Sequence, residues 1–297
     1  MSLEQTDTRR KLHVTTMRAF LMIACAFSII ISACSKNQSN SGDKSGANES
    51  AASNTQTSTG NAAQIIERYR ALDNSSDSVM KLRATITGAG EKANAPSQVE
   101  LTIYRKRKPD GTRMMFIEFT SPAQERDRDA LVTIGPQGEV EGVRYAQSAD
   151  EFISSKNVED EESLFGLTLQ ELADGQPEKY DFTLIGEETF NSSPVYRLEG
   201  KLKLGEESKF PRLVLLISKD NFAALAAEFY DNKNELARNM TVTEMKQVEG
   251  HWTRMRWTID NRARQMKIDF AATEAKYDQN LPDSIFTREH LKQAATK

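Results

Sequence analysis

Between Val99 and Ala272 the chain is a succession of short apolar-alternating stretches separated by tight turns, and this spacing leaves few folds open to it. Val99, Leu101 and Ile103 alternate with Glu100, Thr102 and Tyr104. Met115, Ile117 and Phe119 share one face of Arg113 to Thr120, and Met114, Phe116 and Glu118 share the other. The same period-two pattern predicts strands at 131–134, 143–145, 182–185, 195–202, 212–218 and 224–230. Three more are predicted at 240–248, 252–259 and 265–272. Pro109-Asp110-Gly111, Gly135-Pro136-Gln137-Gly138, Asp231-Asn232-Lys233-Asn234, Glu249-Gly250 and Asp260-Asn261 supply the turns. Connections this short join antiparallel neighbours and leave no room for the helical crossovers of a parallel sheet. About eleven strands in succession must curl, split or close. The expected class is mainly β (α+β): a long, curved antiparallel sheet with a few helices on its concave side.

Three helices are expected. Ile65, Ile66, Tyr69 and Leu72 recur at helical spacing over Ala62 to Leu72, with Asn61 and Gln64 at N-cap and N3. Glu161 to Ala173 carries Leu164, Phe165, Leu167, Leu169 and Leu172 and reads as a short helix broken at Gly166, with the acidic tract Glu159 to Glu162 at its N-terminal end. Thr287 can cap Arg288 to Ala295, with Phe286 and Leu291 placed as a hydrophobic staple.

The N-terminus follows a different logic. Arg9, Arg10, Lys11 and Arg18 precede fifteen uncharged residues, Ala19 to Ala33, which end on Ile31-Ser32-Ala33-Cys34. A basic region, a short apolar region and small residues before a cysteine resemble a bacterial lipoprotein signal peptide with its lipobox. The run is short of the roughly 20 apolar residues a spanning helix needs. The resemblance implies cleavage after Ala33, lipid on the Cys34 thiol and a permanent membrane anchor. Ser35, where Asp would favour the inner membrane, implies the outer membrane, with the domain facing the periplasm. Cys25 would leave with the leader, so no disulfide is available to the mature chain. Ser35 to Ala62 is mostly Ser, Asn, Gly, Ala, Thr and Gln, with no aromatic or large aliphatic residue. Such a segment cannot offset its ordering entropy by burial and reads as a flexible tether spanning roughly 30 Å. The expected organisation is therefore a signal peptide at 1–33, a lipidated cysteine and tether at 34–62, and one folded domain at 63–297.

Charge and motifs exclude several functions. The leader removes four basic residues and two acidic ones (Glu4, Asp7) from the chain's 39 and 43, leaving a net charge of about −6. That is no footprint for nucleic acid. His251 and His290 are isolated and have no cysteine to join, so a His/Cys zinc site is excluded. His251 reads as a surface-turn residue. No G-x-S-x-G elbow, P-loop or H-E-x-x-H occurs, and no cofactor motif is found. Glu125 to Asp129 reads as a solvated hairpin tip. Trp257, Met255 and Ile259 are expected on the inner face of their strand. Arg254 and Arg256 are expected to share the outer face with Trp252, as a ladder of charged pairs or as contacts to an aromatic ring or a headgroup. Met80, Met114, Met115, Met240, Met245, Met255 and Met266 fall in or near strands, as core filling or as adaptable contacts to a variable apolar ligand.

Several phrases resemble the LolA-like outer-membrane lipoprotein-sorting proteins. They are Phe119-Thr120-Ser121-Pro122 with Arg128-Asp129-Ala130-Leu131-Val132, then Asp181 to Glu188, Phe210-Pro211-Arg212-Leu213, and Leu281 to Thr287 followed by Leu291. The resemblance covers residues 63–297 and implies an unclosed half-barrel with helices as a lid. It also implies a cavity for acyl chains or a lipidated partner, no enzymatic activity and no cofactor. Cys34 and the tether set this chain apart from the soluble carrier of that family, because a tethered domain cannot shuttle far. The RseB-like relatives imply an alternative, a module that binds envelope proteins without moving lipid. No individual ligand-binding residue follows from the resemblance.

Overall fold

The computed structural model describes residues 50–88, 97–155 and 177–297, all within the unit Asn48–Lys297. The signal-peptide and Cys34 readings, and the helix expected over 161–173, lie outside the described residues. Thirteen antiparallel strands form one sheet in the order β6-β5-β4-β3-β2-β1-β13-β12-β11-β10-β9-β8-β7. The eleven expected strands are present as β2 (Ser97–Arg107), β3 (Arg113–Ser121), β4 (Ala130–Ile134), β5 (Val140–Ala146), β7 (Tyr180–Phe190), β8 (Ser193–Leu202), β9 (Arg212–Ser218), β10 (Ala224–Tyr230), β11 (Leu236–Val248), β12 (His251–Asn261) and β13 (Met266–Tyr277). The two additions are β1 (Asp77–Gly88) and β6 (Glu151–Ser155). Consecutive strands neighbour each other except β6 and β7, and the pairing of β1 with β13 joins the two halves. β6 and β7 are the two outer edges of the order, so the sheet is an unclosed half-barrel.

Alternation sorts the apolar residues onto two faces, because successive side chains on a strand point oppositely. On β3, Met115, Ile117 and Phe119 pack with Leu82, Leu101, Val132, Ile268 and Phe270. Met114 and Phe116, one residue out of phase, pack with Leu131, Val143, Tyr145 and the C-terminal segment. β3 is thus covered on both sides, as its doubly apolar sequence requires.

Among the described residues, each face takes one α-helix. Helix α1 (Ser50–Ala71) lays Ala62, Ile65 and Ile66 on Phe182, Leu198, Leu213, Leu215 and Ile217, the apolar face of β7 to β9. The Arg68 guanidinium lies 4.7 Å above the Phe222 ring at the same contact. The described helical backbone starts at Ser50, just past the middle of the segment read as tether and twelve residues before the expected start. Extending a docked helix fixes one residue per hydrogen bond gained, so a polar sequence can continue a helix it could not nucleate. Helix α2 (Arg288–Ala295) packs Leu291, Ala294 and Ala295 on the opposite face, against Phe116 and Tyr145. Thr287 caps it as expected, its Oγ1 accepting from the His290 N–H at 3.2 Å. Phe286 and Leu291 are both buried.

The segment leading into α2 is tied to the middle of the sheet. Buried Asp77 accepts from the Gln279 N–H at 2.8 Å and from the Leu281 N–H at 3.1 Å. Lys106 donates to the Leu281 carbonyl and to Asp283. Together these fix the path from β13 around the rim to the outer face.

Candidate functional site

A cavity of about 550 Å³ opens on the concave face, between α1 and strands β1, β2 and β12. Its apolar wall is Met80 and Leu82 from β1, Ile103 from β2, and Trp257 from β12. Each falls at an inward position of its strand. Leu82 opposes Leu101 in the ladder, and Met80 opposes Ile103. Trp257 lies flat on Phe270, with centroids 4.9 Å apart and planes 11° apart. Tyr69 and Leu72, at the end of α1, form the opposite wall. The volume falls within the range of about 300–1,000 Å³ typical of small-molecule sites.

Trp257 and Ile259 take the inner positions expected of them. Arg254 and Arg256 do not share a face. The β11–β12 register shifts between Val242 and Glu244 and again between Glu244 and Met245. Such irregularities interrupt strict alternation and re-aim side chains. Arg256 faces outward, with its Nε 3.0 Å from Glu244. Arg254 turns inward, with its Nη1 3.9 Å from Met240 Sδ, and lines the cavity together with Trp252. The outer ladder therefore holds for Arg256 alone.

His251 is not a free surface residue. Its side chain is only 15% exposed, lies 3.4 Å from Asp278 and stacks on Tyr277 at 4.3 Å. The Tyr277 hydroxyl in turn meets Thr253 Oγ1 at 2.7 Å. All three line the cavity rim. Hydrogen bonds from the Ser76 N–H and hydroxyl hold the Asp278 carboxyl below its ordinary range. His290 lies on the other face, edge-on to Phe116 at 5.0 Å. Among the described residues no group of His, Cys, Asp and Glu could hold a metal ion. Met80 and Met245 are the cavity-lining methionines.

Asp129 departs from the solvated tip expected of Glu125 to Asp129. It is 1% exposed, and its Oδ1 accepts from the Phe119 N–H at 2.7 Å. Its Oδ2 is buried with no protein partner among the described residues. Burial pushes its carboxyl up to about 7, against the opposing pull of the Phe119 bond.

Comparison with known families matches residues 111–293 to a family described as "Uncharacterized protein", with the suffix "-like". The chain belongs to that family. Solved structures place its fold. A DUF1329 family protein from Desulfovibrio piger superposes with a TM-score of 0.71 at 21% identity, over 80% of this chain and 98% of that one. A putative outer membrane lipoprotein-sorting protein domain from Vibrio parahaemolyticus also gives 0.71, at 18% identity, over 79% and 99%. A LolA superfamily protein from Nitrosomonas europaea gives 0.59 at 16% identity, over 77% and 98%. The fold is LolA-like, as the sequence phrases implied. No curated protein matches the chain.

Proposed function

We propose that this chain is a non-enzymatic lipoprotein of the cell envelope that holds acyl chains, free or on a lipidated partner, in the concave face of its half-barrel. The observation that carries the reading is the cavity of about 550 Å³ walled by Met80, Leu82, Ile103 and Trp257. An apolar wall of this kind gains about 0.8 kcal/mol per CH₂ removed from water, so a partly buried chain binds usefully and can still be released. Support comes from the fold shared with a putative lipoprotein-sorting domain and a LolA superfamily protein. Lipidation at Cys34, after removal of residues 1–33, would attach the domain to the outer membrane on its periplasmic side. The protein would then act locally, on chains delivered to or taken from that membrane.

Two measurements test this. Mass spectrometry of the organic extract of the purified full chain should show stoichiometric non-covalent lipid. A chain that is empty, and that takes up no lipid added afterwards, contradicts the proposed cavity role. Cys34→Ala should leave the membrane fraction when its leader is cleaved, and retention of the cleaved variant contradicts the anchor.

A further inference from the structure

The charges around the cavity do not balance. Arg70, Arg105, Arg107, Arg113, Lys179 and Arg254 line it, against Asp73, Glu178 and Glu206. Each carboxylate already has a cation. Asp73 lies 2.9 Å from Arg107, Glu178 lies 3.7 Å from Arg70, and Glu206 lies 3.9 Å from Lys179. That leaves Arg105 on β2, Arg113 on β3 and Arg254 on β12. All three are half-buried, and among the described residues none has a carboxylate within ion-pair distance. Among the described residues, the one hydrogen-bond partner of these three side chains is the Met240 sulfur, at Arg254. Arg105 and Arg113 also line a smaller recess of about 40 Å³ with Lys106, Arg107, Ser75, Ser76 and Ser78, in which the two carboxylates are already engaged, Asp73 by Arg107 and Asp77 by the Gln279 and Leu281 N–H groups.

A half-buried cation without a counter-charge gives up hydration and gains nothing for it. Three around one ligand-sized space are accounted for when the ligand brings the opposite charge. Guanidinium groups suit this, because their planar forks match carboxylate and phosphate oxygens and form charge-assisted hydrogen bonds with them. The apolar wall begins beside them, since Met80 opposes Ile103, two residues along β2 from Arg105.

We infer that the cavity is a site for a single-chain anionic amphiphile, with its carboxylate or phosphate at Arg105, Arg113 and Arg254 and its chain along Met80, Leu82, Ile103 and Trp257. This rests on the proposal that the cavity takes acyl chains, and adds that the head of the ligand is selected as well as its tail. A single chain fits because the volume is that of one small-molecule ligand.

The test is displacement of the neutral fluorophore N-phenyl-1-naphthylamine from the full chain by oleate, oleyl phosphate and oleyl alcohol at low salt. The two anions should compete about 10-fold or more better than the alcohol, the scale of charge-assisted hydrogen bonds. Whichever anion competes better identifies the headgroup as carboxylate or phosphate. In the triple variant Arg105→Gln, Arg113→Gln, Arg254→Gln that advantage should fall to about 2-fold or less, since only screened surface charge remains. The circular dichroism spectrum and unfolding midpoint of the variant, set beside those of the native chain, report whether its fold is intact. Gln keeps most of each stem and leaves no carboxylate orphaned. An alcohol that competes as well as the anions, or an anion preference that survives in the triple variant, overturns the inference and leaves the acyl-chain reading standing. Failure of the native chain to bind the fluorophore and all three competitors overturns both.

Discussion

Trp257 and Phe270 stack face to face at 4.9 Å, holding the indole as part of the cavity wall on two neighbouring strands. The chain has two tryptophans, Trp252 and Trp257, and both line the cavity. Tryptophan fluorescence therefore reports on this site. Binding of an apolar ligand should shift the tryptophan emission to shorter wavelength. Trp257→Ala should abolish most of that shift and lower stability by about 2–4 kcal/mol, the aromatic truncation range scaled for a half-buried ring. Trp257→Phe should keep the stack and most of the stability. Denaturant unfolding and emission titration of the two variants check this, and an unchanged shift in Trp257→Ala contradicts it.

The outer face should behave independently. Phe116 is fully buried there, 5.9 Å from Tyr104 and 5.0 Å from His290. Phe116→Ala should cost about 3–5 kcal/mol through the cavity it leaves. Ligand affinity, measured well below the unfolding transition, should stay within about 2-fold of the native value, because residues on opposite faces with no shared partner act additively. A large loss of affinity in a folded Phe116→Ala protein would mean that the two faces are coupled.

Asp129 makes stability depend on pH in an unusual direction. Its folded carboxyl is raised to about 7 from an ordinary 3.8, so the folded chain holds this proton more tightly than the unfolded chain. The contribution is complete below the unfolded value and is lost as pH rises through the folded one. Across about pH 4 to 7 the native chain should therefore lose stability with rising pH relative to Asp129→Asn, which has no proton to release. Thermal unfolding of both chains over that window checks the sign, and parallel curves would contradict it.

Much of the sheet was legible because strand periodicity is local. Val99 to Ile103 and Met114 to Phe119 display their faces within six residues. β1 carries the same signal in Met80, Leu82, Ala84 and Ile86, weakened by Val79 at an outward position and by the small bulk of Ala84. β6 is a five-residue edge strand, too short to show a period. Strict alternation along β12 places Arg254 on the wrong face, because the register shifts against β11 depend on the partner strand. Asp129 ends a run of charges that elsewhere would be solvated, and only the fold brings the Phe119 amide to it. The arginine trio lay beyond reach for a related reason. Arg105 and Arg113 come from the neighbouring strands β2 and β3, whereas Arg254 joins the same cavity lining only through the β1–β13 junction between the two halves of the sheet.

The central claim is that acyl chains occupy the concave face, and photocrosslinking tests it most directly. A fatty acid with a photoreactive group near its chain terminus, irradiated with the full chain and followed by peptide mass spectrometry, should mark the segments carrying Met80, Leu82, Ile103 and Trp257. Excess oleate should suppress those adducts. Adducts confined to the α2 face around Phe116 and Leu291, or adducts that oleate does not suppress, would contradict the account.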